Sequence, residues 1–215
     1  MLKMNGHSFI SYLYSNTEVY PMTSKKTEKY QMILEGALKV FAEHGFHKSQ
    51  VSKIAKAAGV ADGTIYLYFK RKEDLLICLF REKLGELVQK FEDSVRDIDD
   101  VKEALHKVCE IHYTELENNV DLAHVTQIEL RQSSMELRRE IGMAFKPYIV
   151  LIENLLVKGV QQGVFKPDLD VKLVRLLLFG AMDEVVTSWL ISGRKYSLAG
   201  QVNGTIDFFL KGIAR

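Results

Sequence analysis

An all-α fold, a three-helix head followed by a larger helical bundle of about nine helices in total, is predicted by three observations. Apolar residues recur at a spacing of three and four from residue 26 to residue 213, and no stretch alternates with the period of a strand. Gly45, Gly59, Gly163 and Gly193 stand where such stripes end, as helix C-caps do. Only 3 prolines interrupt the chain, so little in it opposes long helices.

The elements follow in order. Ile33, Ala37, Val40 and Phe41 share one face of a helix that begins near Lys26 and stops at Gly45. A short helix is expected after Ser49, a candidate N-cap, with Val51, Ile54, Ala55 and Ala58 inward, and it ends at Gly59. A third runs from about Asp62 to Phe69. Lys72-Glu73-Asp74 opens a long fourth helix striped by Leu75, Leu76, Leu79, Leu84, Leu87, Val88 and Phe91, with acids in the first turn where the helix dipole favours them. Five more are expected near 99–117, 119–130, 134–162, 170–191 and 197–213. Long amphipathic segments with short connections describe a helical bundle.

These stripes divide the chain into an extension over 1–22, a helix-turn-helix head over 23–72, and a ligand-binding and dimerisation body over 73–215. The extension shows no helical stripe and no signal-peptide pattern; it reads as an alternative start upstream of Met22 or as a mobile arm. The formal net charge of +1 hides an asymmetry. Residues 23–75 carry ten Lys and Arg against six Asp and Glu, whereas 76–215 carry eighteen against twenty-one, the balance expected when only the head meets a polyanion. Charged residues break every apolar run before it reaches the roughly 18 residues of a membrane span, so a cytoplasmic protein without membrane contact is expected. Cys78 and Cys109 lack CxxC spacing and sit among apolar neighbours, as core thiols do.

The stretch SQVSKIAKAAGVADGTIYLYF, residues 49–69, has helix-turn-helix spacing. Ala55 is small where two steeply crossed helices approach, Gly59 tolerates the positive φ of the turn, and Val60 and Ile65 wedge the second helix onto the first. An αα-corner with no DNA partner would share this spacing. The exposed chemistry favours DNA: Thr64, Tyr66 and Tyr68 crowd a helix too short to need all of them for packing, and they suit phosphates, base edges and thymine methyls. Lys53, Lys56, Lys70, Arg71 and Lys72 surround them, either to neutralise phosphates or as a solvated face. The residues expected at double-stranded operator DNA are Ser49, Gln50, Lys53, Asp62, Gly63, Thr64, Tyr66, Tyr68, Lys70 and Lys72.

Residues 33–76, ILEGALKVFAEHGFHKSQVSKIAKAAGVADGTIYLYFKRKEDLL, resemble the N-terminal signature of the TetR family of ligand-released repressors. The resemblance implies that Thr64, Tyr66 and Tyr68 lie on the recognition helix and that Lys72 contacts backbone phosphate. Two positions depart from the pattern. Gly36 replaces a frequent Ala, and Ala61 replaces the Ser or Thr that commonly caps the recognition helix, a role that Asp62 is expected to assume.

In the body, VRLLLFGAMDEVVTSWL on helix 170–191 is apolar nearly all round, which implies burial on two sides. One side would line a pocket and the other would meet a second subunit, with Gly180, Ala181, Ala199, Gly200 and Gly204 allowing close approach. A palindromic DNA site needs two heads, so a homodimer is expected. The segment HVTQIELRQSSMELRREI, residues 124–141, gathers Gln127, Arg131, Arg138 and Arg139, which suit an anionic head group or, alternatively, surface ion pairs with Glu129 and Glu136. An apolar tunnel would be lined by Leu105, Val108, Leu155, Met182, Val185, Val186 and Trp189, unless these are plain core; Trp189 could instead serve the dimer seam. The segments quoted from head and body together resemble the TetR-type fatty-acid-degradation regulators of Gram-positive bacteria. That likeness implies repression of β-oxidation genes, release by a long-chain acyl-CoA effector, and no resident cofactor.

Other classes find less support in the sequence. His44, His47, His106, His112 and His124 form no HExxH, and no nucleophile elbow, P-loop or dinucleotide fingerprint occurs, so neither an enzyme nor a metal site is expected. A lipid or acyl-CoA carrier would use the pocket without DNA. A TetR-type repressor of efflux would keep the head and place acids and aromatics in the pocket for cationic compounds.

Overall fold

Side-chain caps set most helix starts in the body. Asp100, Asn119, Ser134 and Asp170 each accept an amide N–H from the first turn that follows, at 2.8 Å from Lys102, 3.0 Å from Leu122, 3.3 Å from Leu137 and 3.0 Å from Leu173; such caps contribute about 1 kcal/mol apiece. The computed structural model describes residues 24–215, so the extension expected over 1–22 lies outside the described residues. Nine α-helices occur among them: α1 (Ser24–His44), α2 (Val51–Ala57), α3 (Asp62–Tyr66), α4 (Lys72–Val95), α5 (Val101–Asn118), α6 (Val120–Glu129), α7 (Met135–Gln161), α8 (Val171–Ile191) and α9 (Val202–Ile213), the last preceded by a 3-10 turn at Ala199–Gln201. The one extended pairing among the described residues is an isolated bridge between Phe165 and Ala214, which ties the C-terminus to the α7–α8 turn.

Helices α1 to α3 close a small core of Ile33, Leu34, Ala37, Phe41, Ile54, Ala55, Ala58 and Ile65. Gly45 and Gly59 have φ of 71° and 67°, the left-handed turns expected of them. Gly36 is a packing requirement: a Cβ there would lie 2.8 Å from the Ala58 nitrogen, so α1 and α2 approach too closely for Ala.

Three local expectations are corrected. Gln50, not Ser49, occupies the N-cap of α2, and the Ser49 hydroxyl instead donates to the Gly45 and Val40 carbonyls at 2.6 and 3.1 Å. Ala61 occupies the N-cap of α3 without a side-chain bond, so Asp62 does not take over that cap. Helix α3 stops at Tyr66 rather than Phe69, because the amides of Tyr68 and Phe69 both bond the Ile65 carbonyl at 3.0 Å and tighten the final turn.

In the body, α4 lies against α7, where Phe80 meets Phe145 and Phe91 stacks on Tyr148 at 5.2 Å between ring centres. Tyr113 of α5 reaches Thr205 of α9 at 3.1 Å. Helix α8 buries Leu178, Met182, Val186 and Trp189, yet its opposite side leaves Leu173, Leu176, Leu177 and Ile191 at least half exposed, and Phe208 of α9 is 75% exposed. No helix of the described residues is long and apolar enough to cross a membrane.

Candidate functional site

The head presents α3 to solvent. Tyr66 is 58% exposed, Asp62 and Gly63 are exposed, and Thr64 is partly exposed; a Cβ at Gly63 would meet open space, so a groove could approach the backbone there. Gln50, Lys53 and Lys70 are exposed around it. Leu67, 77% exposed beside Tyr66, was missed by the sequence reading; its only signal was an apolar residue off the core stripe.

Other expected DNA contacts sit differently. Ser49 is buried and its hydroxyl serves the α1–α2 turn, so it cannot reach a phosphate. Tyr68 follows α3 and packs against Tyr30 and Phe69, which leaves it half-buried. The Lys72 ammonium donates to three backbone carbonyls, Phe46 at 2.7 Å, Ser49 at 3.0 Å and His47 at 3.2 Å, and stands 4.5 Å from the centre of the Phe46 ring. An ammonium has three donors, and all are engaged. Lys72 therefore clamps the α1–α2 turn, where the resemblance implied a phosphate contact.

That turn is held from the body as well. The Phe46 amide donates to Oε1 of Glu129, the buried last residue of α6, at 2.7 Å. Gln132 donates to the other carboxylate oxygen, and the Gln132 carbonyl accepts from Arg138 Nε at 2.9 Å and Nη2 at 2.6 Å. On α4, Lys83 reaches Glu35 of α1 at 3.1 Å. Head and body thus meet through α4 and also through α6, the second route unanticipated because its partners are 83 residues apart in sequence.

A narrow cleft runs through the body and leaves a cavity of about 30 Å³, room for roughly one water molecule; an effector of any size has to part its walls. Its walls are Phe80, Lys83, Leu84 and Leu87 of α4; His112 and Leu116 of α5; Leu122, Thr126 and Gln127 of α6 with the adjoining Leu130; Phe145 and Tyr148 of α7; and Phe179 and Asp183 of α8. Burial pushes the His112 imidazole down to about 4 against the opposing charge of Asp183, so the ring is neutral at pH 7. Its face stacks on Tyr148, and its Nδ1 lies 3.4 Å from the Tyr148 hydroxyl.

Of the expected ligand residues, only Gln127 lines this cleft. Leu105, Val108, Met182, Val186 and Trp189 are core residues, Leu155 is half-buried against the core, and the half-buried Val185 packs there too. These residues lie on α5, α7 and α8, all of which wall the cleft, but at positions that face the core, since apolar periodicity is the same for core and cleft. Trp189 is buried, and its indole N–H donates to the Tyr196 carbonyl at 2.9 Å. The arginines are largely committed within the chain. Arg131 donates to the Gln127 carbonyl and pairs with Asp183, Arg138 holds the α6–α7 turn, and only exposed Arg139 is loosely held, 3.8 Å from Glu140.

A head of three helices with an exposed third helix, carried on a larger helical bundle, is the architecture of a helix-turn-helix DNA-binding regulator, and the chain belongs to the TetR family. Residues 33–78 match the model of bacterial regulatory proteins of the tetR family, and residues 80–212 match that of the C-terminal region of YsiA-like proteins. The chain is 46% identical over 189 residues to the fatty acid metabolism regulator protein of Bacillus subtilis, covering 88% of this chain and 97% of that one. Among solved structures it is similar to the fatty acid degradation regulator FadR from Bacillus halodurans, with 48% identity, a TM-score of 0.83 and coverage of 86% and 95% of the two chains. It is also similar to FadR from Bacillus subtilis in complex with stearoyl-CoA, with 46% identity, a TM-score of 0.83 and coverage of 86% and 99%.

Proposed function

We propose that the protein is a cytoplasmic repressor of fatty-acid-degradation genes that leaves its operator when a long-chain acyl-CoA enters the cleft between α4 and α8. The observation that carries this reading is the 46% identity to a fatty acid metabolism regulator, which runs through head and body alike. The cleft agrees with it: aliphatic and aromatic walls suit an acyl chain, whose burial stabilises the complex by roughly 0.8 kcal/mol per methylene. Tyr66, Thr64, Gly63, Asp62 and Leu67 would face the major groove, flanked by Gln50, Lys53 and Lys70.

Two heads are needed for a palindromic operator, and the exposed apolar sides of α8 and α9 suit a symmetric seam between two copies. Gly180 and Gly204 lie on those helices with open space above them, which admits a partner helix closely. Release would proceed by population shift. The cleft is narrow, so an acyl chain displaces its walls, and α6 is one of them; a shift of α6 moves Glu129 against Phe46 and changes the spacing of the heads.

The efflux reading has one feature in its favour, since Asp183 and four aromatic residues lie in the walls. Arg131 already pairs with Asp183, however, and leaves no free carboxylate for a cation. The deciding experiment titrates labelled promoter fragments of β-oxidation genes with the protein, with and without stearoyl-CoA. The expected result is tight duplex binding relieved by micromolar stearoyl-CoA. Binding without release would remove the acyl-CoA effector, and no duplex binding at all would favour a lipid carrier.

A further inference from the structure

His112 is buried in the cleft wall, 8% exposed, and its Nε2 has no hydrogen-bond partner among the described residues. The Tyr148 hydroxyl beside it is also buried, and its partner among the described residues is His112 Nδ1. A buried phenol needs an acceptor for its proton, and a neutral imidazole offers one nitrogen as acceptor and the other as donor. Tyr148 therefore donates to Nδ1, and the imidazole proton resides on Nε2. The result is an N–H donor without a hydrogen-bond acceptor among the described residues, in a cleft whose walls include Phe80, Phe145 and Phe179 beside the polar Thr126, Gln127 and Asp183. A buried unpaired donor is costly, and it is rare in folded proteins unless a ligand or water meets it.

We propose that His112 Nε2–H is the donor for the thioester carbonyl of the bound acyl chain, and so distinguishes acyl thioesters from other lipids with the same tail. This assignment rests on the acyl-CoA reading above. Of the polar groups on such a ligand, the phosphates can remain at the mouth in water, whereas the carbonyl is carried inward with the chain. An unpaired carbonyl in apolar surroundings loses its hydration without return. The two unmet groups satisfy each other, and the Tyr148 hydrogen bond holds the imidazole in the tautomer that can donate.

The test compares stearoyl-CoA with its S-octadecyl-CoA thioether, which has the same tail and head but no carbonyl. In operator release followed by fluorescence anisotropy, the wild-type protein is expected to respond to the thioester at about tenfold lower concentration, the ratio a single neutral hydrogen bond supports. His112→Phe should abolish that preference by weakening the thioester alone, and His112→Gln, which keeps an amide N–H, should restore part of it. Infrared difference spectra of 13C-carbonyl stearoyl-CoA on the unmodified protein give a readout independent of any variant; the carbonyl band should move to lower frequency on binding. Equal potency of the two compounds on wild-type protein, or an unshifted band, would overturn the role of His112 while leaving the effector intact. Failure of both compounds to release DNA would remove the effector reading, and the thioester contact with it.

Discussion

The Glu129 carboxylate, at the end of α6, accepts the Phe46 amide of the DNA-binding head at 2.7 Å, while the Phe46 carbonyl accepts from Lys72 at the same distance. One residue in the turn between α1 and α2 is thus held from the body through its N–H and from the start of α4 through its C=O. Thr126 and Gln127 of the same α6 line the cleft, so we expect movement of that wall to reach the head through this carboxylate as well as through α4.

Replacing Glu129 by Ala leaves the Phe46 N–H and the Gln132 amide without their acceptor. We expect a loss of about 1–3 kcal/mol in stability by chemical denaturation, and a smaller ratio between operator affinities measured without and with effector. Glu129→Gln retains an acceptor oxygen and should keep most of the ratio. An unchanged ratio in the Ala variant would show that α4 alone transmits the signal.

Lys72 and Lys70 should separate structure from phosphate contact. Lys72→Ala removes the clamp on three carbonyls and is expected to lower the melting temperature while leaving the salt dependence of operator binding intact. Lys70→Ala, at an exposed position beside α3, should leave stability unchanged and flatten the plot of log affinity against log salt by about one unit. The opposite pattern would return Lys72 to the DNA.

The apolar seam on α8 and α9 is tested by Leu177→Glu together with Phe208→Glu. Both side chains are exposed in the single chain, so the substitutions should leave its helicity unchanged by circular dichroism. Sedimentation velocity should then report monomers, with operator affinity lower by roughly 10²-fold or more as the second head is lost. A variant that still sediments as a dimer would place the interface elsewhere.

His112 makes stability depend on pH. Its folded value of about 4 lies below the ordinary 6.5, so between these values the unfolded chain binds more protons than the folded one. Stability from this group is therefore complete above about pH 6.5 and falls as the pH drops toward 4, by on the order of 3 kcal/mol in all. Denaturant titrations from pH 7.5 to 4.5 should show that decline, and His112→Phe should reduce its slope. Identical slopes would mean that the imidazole is not neutral in the folded protein.

Helical periodicity by itself determined the all-α class, the order of nine helices, the left-handed turns at Gly45 and Gly59, and the exposed Tyr66, because each depends on spacing within one segment. The tertiary structure alone decided which polar side chains were already spoken for. Ser49, Lys72, Arg131 and Arg138 look available in sequence, yet each is taken up by carbonyls or a carboxylate, at Asp183 as far as 52 residues away. It also decided where the cleft runs, since an apolar residue at helical spacing has one pattern whether it only packs in the core, as Val108 does, or also lines the cleft, as Leu116 does. Hydrogen-bond partners and empty volume are properties of several segments at once, and no period within a single segment encodes them.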